Sequence, residues 1–199
     1  MKKKIAITGG IGSGKSSVLS ILREMGYAVF SCDEIYRKLI DLPEYIEKIG
    51  EVFPRCVKNG KICKQTLAQR VFNNKAELEI LNGIAHPLIM SRLLQQMNEI
   101  EENLIFAEVP LLFEGNFESL FDQIVVVLRN RDQRIQAIMD RDGVTIREAE
   151  KRISAQFNYD DPSNMARFEK DGVFCIQNNA SLAELKNDIQ KIIFTISNQ

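Results

Sequence analysis

Histidine is almost missing from this 199-residue chain, which holds only His86, and its four cysteines (Cys32, Cys56, Cys63, Cys175) form no C-x-x-C pair. The ligand set of a tetrahedral zinc site is therefore not in evidence. Scattered thiols suit a reducing compartment, where Cys acts as a small buriable hydrophobe, and a cytoplasmic location is expected. An excess of either charge is also lacking: 26 Lys and Arg against 27 Asp and Glu leave a formal charge of −1. Without a broad basic footprint, nucleic acid is not an expected partner. No apolar run reaches about 18 residues, so no membrane span is expected. The basic start Met1-Lys2-Lys3-Lys4 is not expected to act as an export signal, since glycines and Lys15 interrupt whatever apolar stretch follows it. Internal repeats, low-complexity tracts and linkers are absent as well. What remains is ordinary globular composition, 45% hydrophobic and 27% charged, at a length that suits one domain with an inserted subdomain.

Against that plain background one segment stands out. Residues 9–16 read Gly-Gly-Ile-Gly-Ser-Gly-Lys-Ser, a full G-x-x-x-x-G-K-[ST] phosphate-binding loop. Ile5-Ala6-Ile7-Thr8 before it reads as a buried strand, and Ser17-Val18-Leu19-Ser20-Ile21-Leu22 after it as a helix. That setting aims backbone N–H groups and a helix N-terminus at phosphate oxygens. The expected cradle for ATP phosphates is Gly10, Ile11, Gly12, Ser13, Gly14, Lys15, Ser16 and Ser17. Lys15 would reach the β- and γ-phosphates, and the Ser16 hydroxyl would face Mg2+.

Elsewhere short apolar runs alternate with helical patterns, which predicts a parallel sheet with crossover helices. Five strands are expected: about 4–8, Ala28–Ser31, Leu104–Val109, Ile124–Leu128 and Val173–Ile176. Between the second and third strands lie about seventy residues of helical pattern, more than one crossover needs. Pro43, Pro54, Asn59-Gly60 and Pro87 are expected to divide this stretch into several helices. The organisation is read as a core of about 1–32, 104–128 and 173–199, a helical acceptor-binding region of about 33–103, and a helical lid of about 129–160. The lid breaks at Asp142-Gly143. Capping boxes open helices at Thr145-Ile146-Arg147-Glu148 and Ser181-Leu182-Ala183-Glu184.

Several residues could carry chemistry. Asp33 follows the second strand, and ligands of open parallel sheets bind at carboxyl ends of strands. It is either a general base for an attacking hydroxyl or a helix N-cap. Glu108 ends the third strand and either helps hold Mg2+ or pairs with Lys15 or an arginine. Six arginines crowd residues 129–152, interleaved with acids; most form a solvated, ion-paired face, and Arg141 is favoured for phosphate contact. His86 precedes Pro87 and is either a packed, hydrogen-bonded residue or a catalyst.

Taken together, these segments resemble the dephospho-coenzyme A kinase family over nearly the whole chain. The resemblance rests on Thr8 through Ser16, on Leu81-Asn82 through His86-Pro87-Leu88-Ile89, and on Val109-Pro110-Leu111-Leu112-Phe113-Glu114. Arg141-Asp142 with Arg152 and Gln156, and Ile176, Asn178, Asn179, Leu182 and Leu185, complete it. It implies a P-loop NTPase fold, with transfer of the γ-phosphoryl of ATP to the ribose 3′-hydroxyl of dephospho-coenzyme A. It also implies Asp33, Lys15 and Arg141 as catalytic residues, with His86, Pro110, Leu111, Leu112 and Glu114 beside Asp33 on the acceptor. A monomer or weak homo-oligomer is expected. Two departures stand out: Ser31 where the family usually has the first acid of D-x-D, and Arg134-Ile135-Gln136-Ala137 where it usually has Q-x-x-R. Arg134, one turn earlier on the same face, is the alternative cation to an arginine at 137. The rival readings are another small-metabolite or nucleoside monophosphate kinase, and a nucleotide switch. The switch lacks its guanine-reading motif, for which Asn73-Asn74-Lys75-Ala76-Glu77 has the wrong spacing.

Overall fold

A computed structural model describes residues 2–72 and 74–199; Met1 of the basic start and Asn73 of the would-be guanine motif lie outside the described residues. The chain divides into two compact units, Met1–Phe30 with Ile100–Gln199, and Ser31–Glu99. The first holds most of a five-stranded parallel sheet made from β1 (Lys3–Thr8), β2 (Ala28–Ser31), β5 (Leu104–Glu108), β6 (Gln123–Leu128) and β7 (Val173–Gln177). Its order is β2-β5-β1-β6-β7, so the strand that delivers the glycine loop is central. β5 stands between β1 and β2, which makes the first two strands next-but-one neighbours.

Burial on both faces explains the composition of these strands. Ile5, Ala6, Ile7 and Thr8 are all buried, as are Ile124 through Val127, the pattern of parallel strands covered by helices on each side. On one face α1 (Lys15–Glu24) supplies Val18, Leu19, Ile21 and Leu22, and α9 (Leu182–Ser197) adds Leu185, Ile189 and Ile196. Each such side chain taken from water contributes about 1.5–3 kcal/mol. Both expected capping boxes are present: Thr145 and Glu148 open α7 (Ile146–Ser154), and Ser181 and Glu184 open α9. Between β6 and α7 runs α6 (Arg131–Asp142), which ends on left-handed Gly143. The four-residue α8 (Pro162–Met165) follows α7.

The second unit has its own core. Its helices are α2 (Cys32–Leu39), α3 (Pro43–Val52), α4 (Lys64–Phe72) and α5 (Lys75–Glu99). Leu39, Tyr45, Ile49, Phe53, Cys56, Leu67, Val71, Leu81 and Ala85 pack together among them. Arg70 clamps Glu77 with both Nε and a terminal nitrogen, at 2.6–2.9 Å, fastening α4 to the start of α5.

One helix break expected in this stretch is refined and another is corrected. Asn59-Gly60 does lie between two helices, α3 and α4, but the gap is a hairpin that it turns between β3 (Val57–Lys58) and β4 (Lys61–Ile62), with φ of 51° and 69° at its two residues. Those are the left-handed angles of the two-residue turn that Asn-Gly favours. Pro87, by contrast, does not break a helix, because α5 runs through it for 25 residues. Proline there leaves the carbonyl four residues back without its donor, and that residue is Gly83. The buried stripe slips at the same point, from Leu81 and Ala85 to Met90, Leu93 and Met97. No helix among the described residues is long and apolar enough to cross a membrane.

The hairpin gives a clean test. A Cβ at Gly60 would meet nothing within 4 Å, so Gly60→Ala should cost only the left-handed penalty, about 1–2 kcal/mol. Urea denaturation measures it, and no loss of stability would argue against the turn.

Candidate active site

The glycine loop joins β1 to α1, and Gly14 is the N-cap of that helix, at φ 93° and ψ 24°. No acidic residue occupies the first turn of α1, so the positive helix end meets no competing carboxylate there. Glycine is required at two places. A Cβ on Gly14 would lie 2.0 Å from Asn178 Nδ2, and one on Gly12 (φ 78°) would lie 2.6 Å from the Arg134 carbonyl. In both cases the left-handed angle and the neighbour exclude a side chain together.

Side chains remote in sequence hold the loop's peptide groups. Gln156 Oε1 accepts from the Ile11 N–H at 2.7 Å, and Arg134 Nε donates to the Ile11 carbonyl at 3.1 Å. Asn178 Nδ2 donates to the Ser13 carbonyl at 2.8 Å, and Arg129 reaches the Gly12 carbonyl at 3.3 Å. Lys15 Nζ folds back over the loop and donates to the carbonyls of Gly9 (2.6 Å) and Gly10 (3.1 Å). Ser13 Oγ is buried without a protein hydrogen-bond partner, an uncompensated polar group of a kind that folded proteins rarely keep away from a ligand or water. Ser16 is exposed, and Ser17 is half-buried behind it.

Glu108 ends β5 directly across the ladder from Ile7, and is half-buried. After it, Pro110 and Leu111 are half-buried, whereas Leu112 and Phe113 are core residues. Leu112, at 0% exposure, is enclosed by protein on all sides, its backbone included. Glu114 accepts from the Phe157 N–H at 2.8 Å and so ties this loop to the segment beyond α7. Phe113 packs with Phe157, Tyr159 and Phe168, ring centroids 4.8–6.0 Å away.

The arginines separate by role. Arg131 pairs with Glu150, and both Arg141 and Arg152 pair with Asp142. Arg141 grips that carboxylate with Nε at 2.7 Å and a terminal nitrogen at 2.9 Å. Its side chain is otherwise 62% exposed. Hydrogen bonding from Arg141, with Arg152 adding to it, holds the Asp142 carboxyl below the usual carboxylate range. Arg134 is the exception. Its guanidinium is buried under the loop, against Asp160, so it is not a second exposed cation standing in for an arginine at 137.

Asp33 and His86 belong to the other unit. Asp33 is the second residue of α2 and exposed, while Ser31 holds the N-cap position; the cap reading of Asp33 therefore falls. His86 is half-buried in the middle of α5.

Sequence reasoning gave no role to Tyr159, Asp160 or Asn178. Tyr159 is buried, and its hydroxyl lies 3.1 Å from Thr8 Oγ1 at the end of β1. Nothing in the local pattern marks it, because its partner is 151 residues away.

A phosphate loop braced in this way, on the central strand of a five-stranded parallel sheet flanked by helices, defines a nucleotide-binding protein of the P-loop class. The model of the dephospho-CoA kinase family matches residues 3–184, and the chain belongs to that family. It is 34% identical over 194 residues to the dephospho-CoA kinase of Fusobacterium nucleatum, covering 96% of this chain and 97% of the relative. Among solved structures, a Thermus thermophilus protein matches with a TM-score of 0.80 at 29% identity, covering 98% and 97% of the two chains. The dephospho-CoA kinase of Campylobacter jejuni matches with a TM-score of 0.65 at 27% identity, covering 100% and 99%. The chain is accordingly an ATP-dependent phosphotransferase.

Burial, partly offset by the bond to Thr8, pushes the Tyr159 phenol up from 10.0 to about 12. A raised folded-state value means the stabilising contribution is whole below pH 10 and is lost as pH climbs through 12. Melts between pH 9 and 12 should therefore fall less steeply for Tyr159→Phe than for the parent chain; equal slopes would remove Tyr159 as a cause.

Proposed function

We propose that the chain transfers the γ-phosphoryl of ATP to the 3′-hydroxyl of the dephospho-coenzyme A ribose, yielding coenzyme A and ADP. The observation that carries this reading is the extent of the family match, which takes in the phosphate loop and the whole 31–99 unit together. The loop alone would support ATP and nothing about the acceptor.

The residues divide the work. N–H groups of the Gly10–Ser17 loop other than that of Ile11, which Gln156 holds, and the start of α1 take the phosphates, with Ser13 Oγ able to satisfy its hydrogen bonding on them. Lys15 exchanges two loop carbonyls for β- and γ-phosphate oxygens, a stronger charge-assisted pairing. Ser16 and Glu108 offer a hydroxyl and a carboxylate, hard oxygen donors that suit Mg2+. Held by these two residues, the ion would supply positive charge to offset that of the phosphates.

Asp33 accepts the proton of the 3′-hydroxyl, whose oxygen bonds to the γ-phosphorus while the bridging oxygen departs with ADP. Arg141 moves from Asp142 to the transferring phosphoryl, and Arg152 keeps Asp142 paired when it does. The 129–160 segment then acts as a lid that excludes water. His86, Pro110, Leu111 and Glu114 serve the acceptor side, with Leu112 buried in the core. The enzyme works in the cytoplasm as a monomer or weak homo-oligomer.

An ADP-release assay across acceptors tests the assignment: turnover is expected with dephospho-coenzyme A and not with nucleoside monophosphates or shikimate. The reverse pattern would sink it. Asp33→Asn should lower kcat by about a hundredfold or more, the scale of a lost general base, with ATP affinity little changed. Near-parent turnover would deny Asp33 that role.

A further inference from the structure

Arg134 is a large charged side chain at 2% exposure. Arginine cannot shed its proton in a protein, so the charge is buried with it. Its hydrogen bonds go to the Ile11 carbonyl and, at 3.1 Å, to Asp160 Oδ2. The packing against the loop is close. A Cβ on Gly10 would lie 2.4 Å from an Arg134 terminal nitrogen, and a Cβ on Gly12 would strike the Arg134 backbone. Glycine at both positions thus lets the loop lie directly on this cation.

The two charges of the pair do not face the same medium. Asp160 is 46% exposed, so solvent screens much of its field, while the guanidinium sits where screening is weakest. Neutralisation by Asp160 is therefore incomplete on the loop side. A clasp for the Ile11 carbonyl alone would need only a neutral donor, and a buried charge is a costly way to provide one. A ligand of several negative charges on the same loop gives the charge a use.

We propose that Arg134 is a positioning residue for phosphoryl transfer: a buried cation, packed on Gly10–Gly12 and partly neutralised by Asp160, that draws the ATP phosphates onto the loop without touching them. The proposal rests on the reading of this loop as the phosphate site, and is independent of which acceptor the enzyme uses.

The sign of two substitutions separates this role from a structural one. Calorimetric binding of inorganic tripolyphosphate to the full chain at low salt is the readout. Arg134→Gln keeps a donor for Ile11 and removes the charge; affinity should fall about fivefold or more, the order expected of one poorly screened charge. Asp160→Asn leaves the cation less neutralised, and affinity should rise about twofold or more. KM for ATP should move in the same directions, with KM for dephospho-coenzyme A unchanged. If Arg134 merely braces the loop, both substitutions weaken binding, and that result would overturn the proposal. Should Arg134→Gln fail to fold, the direction of the change in Asp160→Asn decides alone. A parent chain that does not bind tripolyphosphate would overturn the loop assignment and this proposal together, whatever the acceptor assay shows.

Discussion

A phosphate loop must hold its peptide groups open before any phosphate arrives, and that requirement organises much of the first unit. A free glycine-rich segment would lose about 1–2 kcal/mol per residue on ordering. Here that cost is offset in advance by side chains that satisfy the loop's outward-facing groups. The Ile11 peptide is held at both ends, by Gln156 and Arg134, and Ser13 is held by Asn178. These partners come from α6, from the end of α7 and from the turn after β7. The crossover from β6 to β7 therefore has to be complete before the loop has its shape.

The same dependence sets which features were legible in the sequence. Strands such as Ile124–Leu128 announce themselves through β-branched composition, and helix starts at Thr145 and Ser181 through capping boxes, because both are local devices. The loop was legible for the same reason. Asn59-Gly60 was also a local signal, but with two residues in each flanking strand there was no alternation to distinguish a hairpin from a gap between helices. Pro87 misled in the other direction: its cost is local, and the packing of Leu81, Ala85, Met90 and Leu93 on both sides overrides it.

Within the site, the residues that contact the loop from afar were the ones pattern could not assign. Arg134 shares a helix face with Arg141, and the sequence offered it as an alternative cation for phosphate contact without any sign that it would be buried. What buries one of them is the absence of side chains at Gly10 and Gly12, more than 120 residues earlier. Glu114 is similar: its motif was plain, yet its bond to the Phe157 N–H depends on where the chain returns after α7.

The aromatic cluster of Phe113, Phe157, Tyr159 and Phe168 has a mechanical consequence. With Glu114 fastened to Phe157 and Tyr159 set against Thr8, the chain beyond residue 157 is riveted to the sheet, and Arg134 rivets the first turn of α6 in the same way. Any swing of the arginine-bearing helices is confined between these two anchorages. Ile138, Ala149 and Ile153 pack with each other and with Ile11 in that interval, so the helices have an apolar bearing to turn on, and the bearing surface is the phosphate loop itself.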